Sequence, residues 1–523
     1  MARNPCLERK THENPTPIVE TPAGPMIGTI DQETGTYQFL GVPYAHPPVG
    51  KLRWLSPQPL PAWETPLHAS AFGMPAAQNP SILMEVRGRN GAPPEREECL
   101  YLNIFSPPTS SNNRLPVMFW IHGGAFYMGS GCQEVYNGRY LAASGRAIIV
   151  TFNYRLGAFG FLRLKDICDI PSSGNEGLMD QIAALKWVNR NISAFGGDPQ
   201  NITLFGESAG AMSIALLQKI PECQALFRRA IVQSGHPKAV HSISRANHLA
   251  ETFVKHLDSI GNGKPPRDCT PKMLLQTQTK ILTDCRMTQC WGQLPFKPVI
   301  DHELLKETSV TGHTESTPAV KPLLLGNNLE EWNLFSVTNS EIYTLDYHKI
   351  CNHLGWLLPE KKIKPLLGHY YQLALSIQDS PWPQWSQAWN LLLTDMVFTL
   401  PGLRHLTNHQ GEGFHYHFTQ PLAAQPLLGA CHAVELGYVF GTHGEQSLHA
   451  LYGAETGAHL LSASMQEAWL SFAETGCPGE GWPIFSGKHS KRFGNHPTAR
   501  TFNTSELLAL WQDIPDKILY GYL

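Results

Sequence analysis

The stretch NITLFGESAGAMS (201–213) restricts what this chain can fold into more than any other. An apolar, β-prone run ends at Gly206, and a helix-forming run starts at Ser208. Strand and helix follow with no room for an ordinary loop. The serine at such a corner is forced into a strained, exposed conformation, and Gly206 and Gly210 leave space for the turn. The helix N-terminus directs partial positive charge and free N–H groups to the same place. That geometry suits a nucleophile; an ordinary N-capping serine is the competing reading.

The surrounding sequence supplies a sheet for this elbow. PVMFWI (116–121) and AIIVTFNY (147–154) read as buried strands. RRAIVQSG (228–235), KPLLLGN (321–327) and GFHYHFT (413–419) read as further strands, and GPMIGTI and TYQFLGVPYA flank the turn signal DQETG. GLMDQIAALKWVNRNISAF (177–195) carries Leu178, Ile182 and Leu185 at helical spacing. Alternating strands and helices imply an α/β fold: a large, mostly parallel central sheet with helices on both faces. Residues 1–20 read as a loose N-terminal arm. Residues 21–523 read as one catalytic domain with helical insertions, or a lid, around 236–320 and 336–410.

The 523 residues are 42% hydrophobic, enough for a large core. Only 16% are charged, the net charge is -3, and no basic stripe is present, which disfavours nucleic acid and anionic membrane surfaces as partners. No apolar run reaches the roughly 18–20 residues of a membrane span. The start, MARNPCLERKTHENPTPIVE, lacks the apolar segment of a secretory leader, so a cytoplasmic protein is expected. The 11 cysteines form no CxxC pair, against both a disulfide framework and a zinc ribbon. Asn191 and Asn201 begin N-x-S/T triplets inside expected core elements, so neither reads as a glycosylation site.

A serine nucleophile needs a base held by an acid, and donors for the oxyanion. FWIHGGAFYMGSG (119–131) brings an apolar strand to a His-Gly-Gly loop, whose unencumbered amides can turn toward one point. A plain strand-end turn is the alternative. Two acids stand together in LLLGNNLEEWNLF (323–335), and the residues alone do not choose between Glu330 and Glu331.

With FLGVPYA, EECLYLNI, HGGAF, NYRLGAFGFL, DQIAALKWV, NISAFGGDPQNITLFGESAGA, IVQSG and WLSFAETGCP in view, the chain resembles the type-B carboxylesterases of the α/β-hydrolase superfamily nearly end to end. That group includes bacterial p-nitrobenzyl-type esterases, animal carboxylesterases and cholinesterases. The resemblance implies an α/β-hydrolase fold and cofactor-free, metal-free hydrolysis of a small-molecule carboxylic ester by a Ser–Glu–His triad. The nucleophile is then Ser208. The acid is Glu331, the second of the adjacent pair. The base is His432, which fits the family's Gly-Ala-x-His pattern in LLGACHAVELGYVFG (427–441); His443, His415 and His417 are the bland alternatives. Gly124, Ala125 and Ala209 form the oxyanion hole, with Ala125 where relatives carry a third glycine, and such an open loop is expected to admit bulky alcohol groups. Glu207, next to Ser208, is expected in a structural hydrogen-bond network with Ser234, an electrostatic helper to the nucleophile being the alternative, and Arg53–Glu97 and Arg155–Asp180 are expected as structural ion pairs.

Two departures from relatives matter. Cys99 is present, but Ala76 stands where many secreted members carry its disulfide partner, in keeping with a reducing compartment. No tryptophan occurs between Gln78 and Cys99, where cholinesterases bind the quaternary ammonium, so a choline-ester specialist is not expected. An interfacial lipase would differ in the lid. A non-catalytic binding relative would have lost a triad residue, and here all three positions carry competent side chains. Substrate and oligomeric state are not legible from the chain.

Overall fold

The structure, a computed structural model, describes residues 16–81, 94–108, 114–284, 294–307, 320–377, 379–453, 456–495, 503–516 and 519. Fifteen strands follow in chain order. They are β1 (Ile18–Thr21), β2 (Gly24–Ile27), β3 (Thr29–Ile30), β4 (Tyr37–Pro43), β5 (Leu67–His68), β6 (Tyr101–Ser106), β7 (Leu115–Ile121), β8 (Ile148–Phe152), β9 (Gly197–Glu207), β10 (Arg229–Gln233), β11 (His241–Ser242), β12 (Val299–Ile300), β13 (Leu323–Asn328), β14 (Gly413–Phe418) and β15 (Lys491–Phe493). Ten of them form one sheet in the order β15-β14-β13-β10-β9-β7-β8-β6-β4-β3. The six pairings from β15 through to β8 are parallel, and the β8–β6, β6–β4 and β4–β3 pairings are antiparallel.

The continuous apolar runs explain the middle of this sheet. Every residue from Ile202 to Glu207 in β9, and every residue of β8, β10, β13 and β14, is buried. Strands covered on both faces have no reason to alternate polar and apolar side chains. The helix Glu176–Asn191 covers one face with Leu178, Ile182, Leu185 and Val188. The helix Ala458–Thr475 covers the other with Met465, Trp469 and Phe472. Both structural ion pairs form: Arg53–Glu97, and Arg155–Asp180, where both partners are almost wholly buried. Breaking such a buried pair by removing one partner costs about 3–5 kcal/mol.

The N-terminal arm needs correction. Residues 1–15 lie outside the described set, and Ile18–Thr21 is not loose: it pairs antiparallel with β2 in a small sheet, β1-β2-β5. The region 236–320 contributes the helices Ile243–Gly261 and Pro271–Thr283, with 285–293 and 308–319 outside the described residues. The region 336–410 contributes Tyr347–Gly355, Glu360–Ser376, Gln384–Thr394 and Leu400–Thr407. Between the last two helices the ladder widens to a π turn, Asp395–Thr399, in which Leu400 N–H donates to the Asp395 carbonyl. Pro401 explains it: with no N–H to give the Val397 carbonyl and a ring that crowds it, the ordinary spacing fails there.

Candidate active site

The nucleophile elbow forms as its sequence demands. Ser208 follows β9 directly and takes φ 55°, ψ -125°, while the helix Ala209–Leu217 starts at the next residue. Its N–H donates to Gln233 O at 2.9 Å, tying the corner to the end of β10. The glycines are steric necessities. A Cβ on Gly206 would meet Ile121 O at 2.6 Å, and one on Gly210 would meet the same oxygen at 1.9 Å. Glu207 and Ala209 are buried, and Ser208 between them is partly exposed.

Glu331 and His432 meet from two separate segments. Glu331 lies three residues past β13 and is fully buried. Its Oε1 accepts from Ser234 Oγ at 2.5 Å and Asn328 N–H at 2.7 Å, and its Oε2 lies 2.6 Å from His432 Nδ1. Glu330 faces the other way. Its carboxylate accepts from Ala430 N–H at 2.8 Å, and burial raises its pKa. The structure thus separates two acids that the sequence could not. His443 is stacked on Tyr438, and His415 is bonded to Ser490, so neither competes with His432.

Glu207 does not pair with Ser234 as expected, because Ser234 is taken by Glu331. Glu207 Oε1 instead lies 2.8 Å from His432 Nε2. The imidazole is held between two carboxylates, with Phe398 and Phe335 against its ring at centroid distances of 4.6 and 5.4 Å. Burial alone would lower the pKa of His432, but Glu207 and Glu331 outweigh it and raise it to about 10. Among the described residues, no hydrogen bond joins the Ser208 hydroxyl to His432. The Nε2 side of the ring is paired with Glu207, the residue before Ser208.

The glycine loop after β7 reaches the same point. Gly124 (φ 115°), Ala125 (φ 55°) and Phe126 (φ 62°) all have left-handed backbone, and Met128 N–H closes the turn onto Gly124 O at 2.9 Å. Gln78 clamps Gly129 from both sides, donating to its carbonyl at 3.0 Å and accepting from its N–H at 2.8 Å. A Cβ on Gly123 would meet Glu207 Oε2 at 2.7 Å and Ser208 Cβ at 3.0 Å, so this residue is what lets the loop lie on the elbow. The amides of Gly124 and Ala125 make no hydrogen bond to the described protein. Ala209 N–H is a first-turn helix donor and has no intrahelical acceptor.

Gly124, Ala125, Ser208 and His432 open into a cavity of about 350 Å³. Trp332, Phe335, Trp389 and Phe398 supply much of its apolar wall. Sequence reading missed these wall residues; the π turn that delivers Phe398 leaves only Pro401 as a trace. Cys99 and Ala76 line one small cavity elsewhere. Much of the loop compared with cholinesterases, 82–93, lies outside the described residues. Among the described residues, no group of three His, Cys, Asp or Glu side chains is arranged to hold a metal ion, and no helix is long and apolar enough to cross a membrane.

A mostly parallel sheet with a serine elbow at the end of a central strand defines an α/β-hydrolase fold. Comparison with known proteins narrows this. The carboxylesterase family matches residues 15–508, and the chain belongs to that family and is a carboxylic ester hydrolase. It is 37% identical over 477 residues to the para-nitrobenzyl esterase of Bacillus subtilis, covering 90% of this chain and 92% of that protein. It is 29% identical to an acetylcholinesterase of Danio rerio, covering 97% and 89%. Among solved structures, a PNB esterase superposes with a TM-score of 0.76 at 35% identity, covering 90% of this chain and 93% of that one. A Geobacillus stearothermophilus carboxylesterase superposes with a TM-score of 0.78 at 31% identity, covering 95% and 100%.

Proposed function

We propose that this chain is a serine carboxylesterase that works through an acyl-enzyme formed on Ser208. The observation that carries the reading is the Glu331–His432 contact of 2.6 Å, in one cavity with the strained Ser208. Neutral His432 takes the Ser208 proton as the oxygen attacks the ester carbonyl. Glu331 fixes the ring through Nδ1 and stabilises the imidazolium that results. Amides of Gly124, Ala125 and Ala209 receive the oxyanion, each worth about 3–4 kcal/mol in the transition state. The imidazolium returns its proton to the leaving alcohol. Water then attacks the acyl-enzyme through the same base and releases the acid. Productive turnover requires His432 Nε2 to leave Glu207 and face Ser208, the next residue in the chain.

The apolar cavity fits neutral esters with bulky hydrocarbon or aromatic groups. Cys99 as a free thiol beside Ala76 supports a reducing compartment. The test compares wild type with Ser208→Ala on a short-chain p-nitrophenyl ester and maps the adduct of an organophosphate. The expected result is loss of turnover and a single label on Ser208. Equal hydrolysis by both proteins, or a label elsewhere, ends the assignment.

A further inference from the structure

Behind Glu331 and His432 lies a layer of buried polar side chains outside the substrate cavity. Asn328, the last residue of β13, is fully buried at its centre. Its N–H donates to Glu331 Oε1 at 2.7 Å. Its Nδ2 donates to two acceptors, the carbonyl of Cys431 at 2.7 Å and Glu435 Oε2 at 2.7 Å. Glu435 is also fully buried, and its Oε1 accepts from Gln233 Nε2 at 2.9 Å. Gln233 Oε1 in turn accepts from Trp469 Nε1 at 3.0 Å, which fixes the direction of the whole chain of bonds.

We propose that Asn328 is a positioning residue that sets the spacing between the acid and the base of the triad. Asn328 is bonded on both sides: its backbone N–H holds the carboxylate of Glu331, and its side-chain amide holds the carbonyl immediately before His432. The loop carrying His432 needs such an anchor. Ala433 sits at φ 67°, and the His432 main chain is held by longer contacts, its N–H to Glu331 O at 3.3 Å and its carbonyl to Cys431 Sγ at 3.7 Å. Without the Asn328 amide the Cys431 carbonyl loses its 2.7 Å bond to the end of β13 and keeps the longer one, 3.3 Å, from Val434 N–H in its own loop, so the loop is no longer tied to that strand there.

Glu435 explains why the residue must be asparagine. Both groups facing Nδ2 are acceptors, so the amide can present only its NH₂ side. The cost is visible: Asn328 Oδ1 is buried without a hydrogen-bond partner. Leucine has the shape but no donor. Aspartate has the shape but brings lone pairs against a carbonyl and a carboxylate. The exchange Asn328→Asp with Glu435→Gln restores one donor–acceptor pair in reversed order, because a glutamine at 435 can donate to position 328 while its oxygen still accepts from Gln233.

The inference rests on the proposed triad, and its test separates the two. Active sites are counted by organophosphate titration, and kcat and KM are measured per titrated site for Asn328→Leu, Asn328→Asp and the Asn328→Asp/Glu435→Gln pair. The low-field proton resonance of the His432–Glu331 hydrogen bond is recorded in each. A misplacement of about 1 Å costs about 100-fold in rate, so the single variants are expected to lose about 10- to 100-fold in kcat with KM within about 2-fold. The low-field signal should shift or vanish, and the paired exchange should recover at least about 5-fold over Asn328→Asp. A merely structural role would lower the number of titrated sites without changing kcat per site. That outcome, or an unmoved resonance, overturns the proposal. If Asn328→Leu folds poorly, Asn328→Asp decides alone. A label absent from Ser208 would instead remove the triad reading itself.

Discussion

Replacing Glu207 by glutamine takes away one of the two charges that hold His432 as an imidazolium. The 2.8 Å contact to Nε2 survives as a hydrogen bond to a neutral amide, so the steric change is small. The charge change is not. Burial opposes the charged ring, yet its pKa stands at about 10 against an ordinary 6.5. That rise corresponds to roughly 5 kcal/mol of preference for the protonated form. A single carboxylate at this range typically contributes about 1–3 pKa units, so Glu207→Gln should lower the pKa by about 2 units. The base must be neutral to act, so the acid limb of the kcat/KM profile must move to lower pH by the same amount. The assay is a pH-stat titration of a non-chromogenic short-chain ester over about pH 5 to 10, where spontaneous hydrolysis is subtracted directly. Stability gives a second reading. The folded pKa is raised, so the ion-pair contribution is fully present below about 6.5 and is lost as the pH climbs through about 10. The variant should show a flatter stability profile across that window. A limb that stays put or moves to higher pH would refute the claim that Glu207 holds the proton on His432.

Other expectations follow from the same geometry. Glu331→Gln should lower kcat by about 10³–10⁴-fold, because the amide supports the wrong tautomer of His432, whereas Glu330→Gln should stay within about 5-fold; steady-state kinetics of both variants distinguish them. Gly210→Ala puts a methyl 1.9 Å from Ile121 O, and a loss of about 3 kcal/mol in urea unfolding is expected. The glycine loop should admit a tert-butyl ester; poor turnover beside rapid turnover of its n-butyl analogue would count against an open oxyanion loop.

The elbow, the glycine loop and the parallel sheet were legible because each rests on local rules. Ser208 is forced by the strand and helix on either side, and buried strands have a compositional signature. The acid was not legible from its own segment. Glu330 and Glu331 are alike in sequence and differ only in which long-range partner each reaches, Ala430 or His432. The partner of Ser234 has the same origin: β10 lies between β9, which ends in Glu207, and β13, and the hydroxyl just past its end bonds Glu331 from the β13 side. Asn328 and Phe398 were silent for a related reason. One is the second of two adjacent asparagines at a strand end, alike in sequence, and the other follows from a π turn set by a proline three residues on.

The close approach of Gly210 to Ile121 ties Ser208 to the sheet. The floor beneath Ser208 is held by backbone against backbone, whereas much of the apolar wall, Trp332, Phe335, Trp389 and Phe398, comes from the segments overhead, between about residues 330 and 410. A directed-evolution library confined to that roof would spend its diversity where the architecture tolerates it.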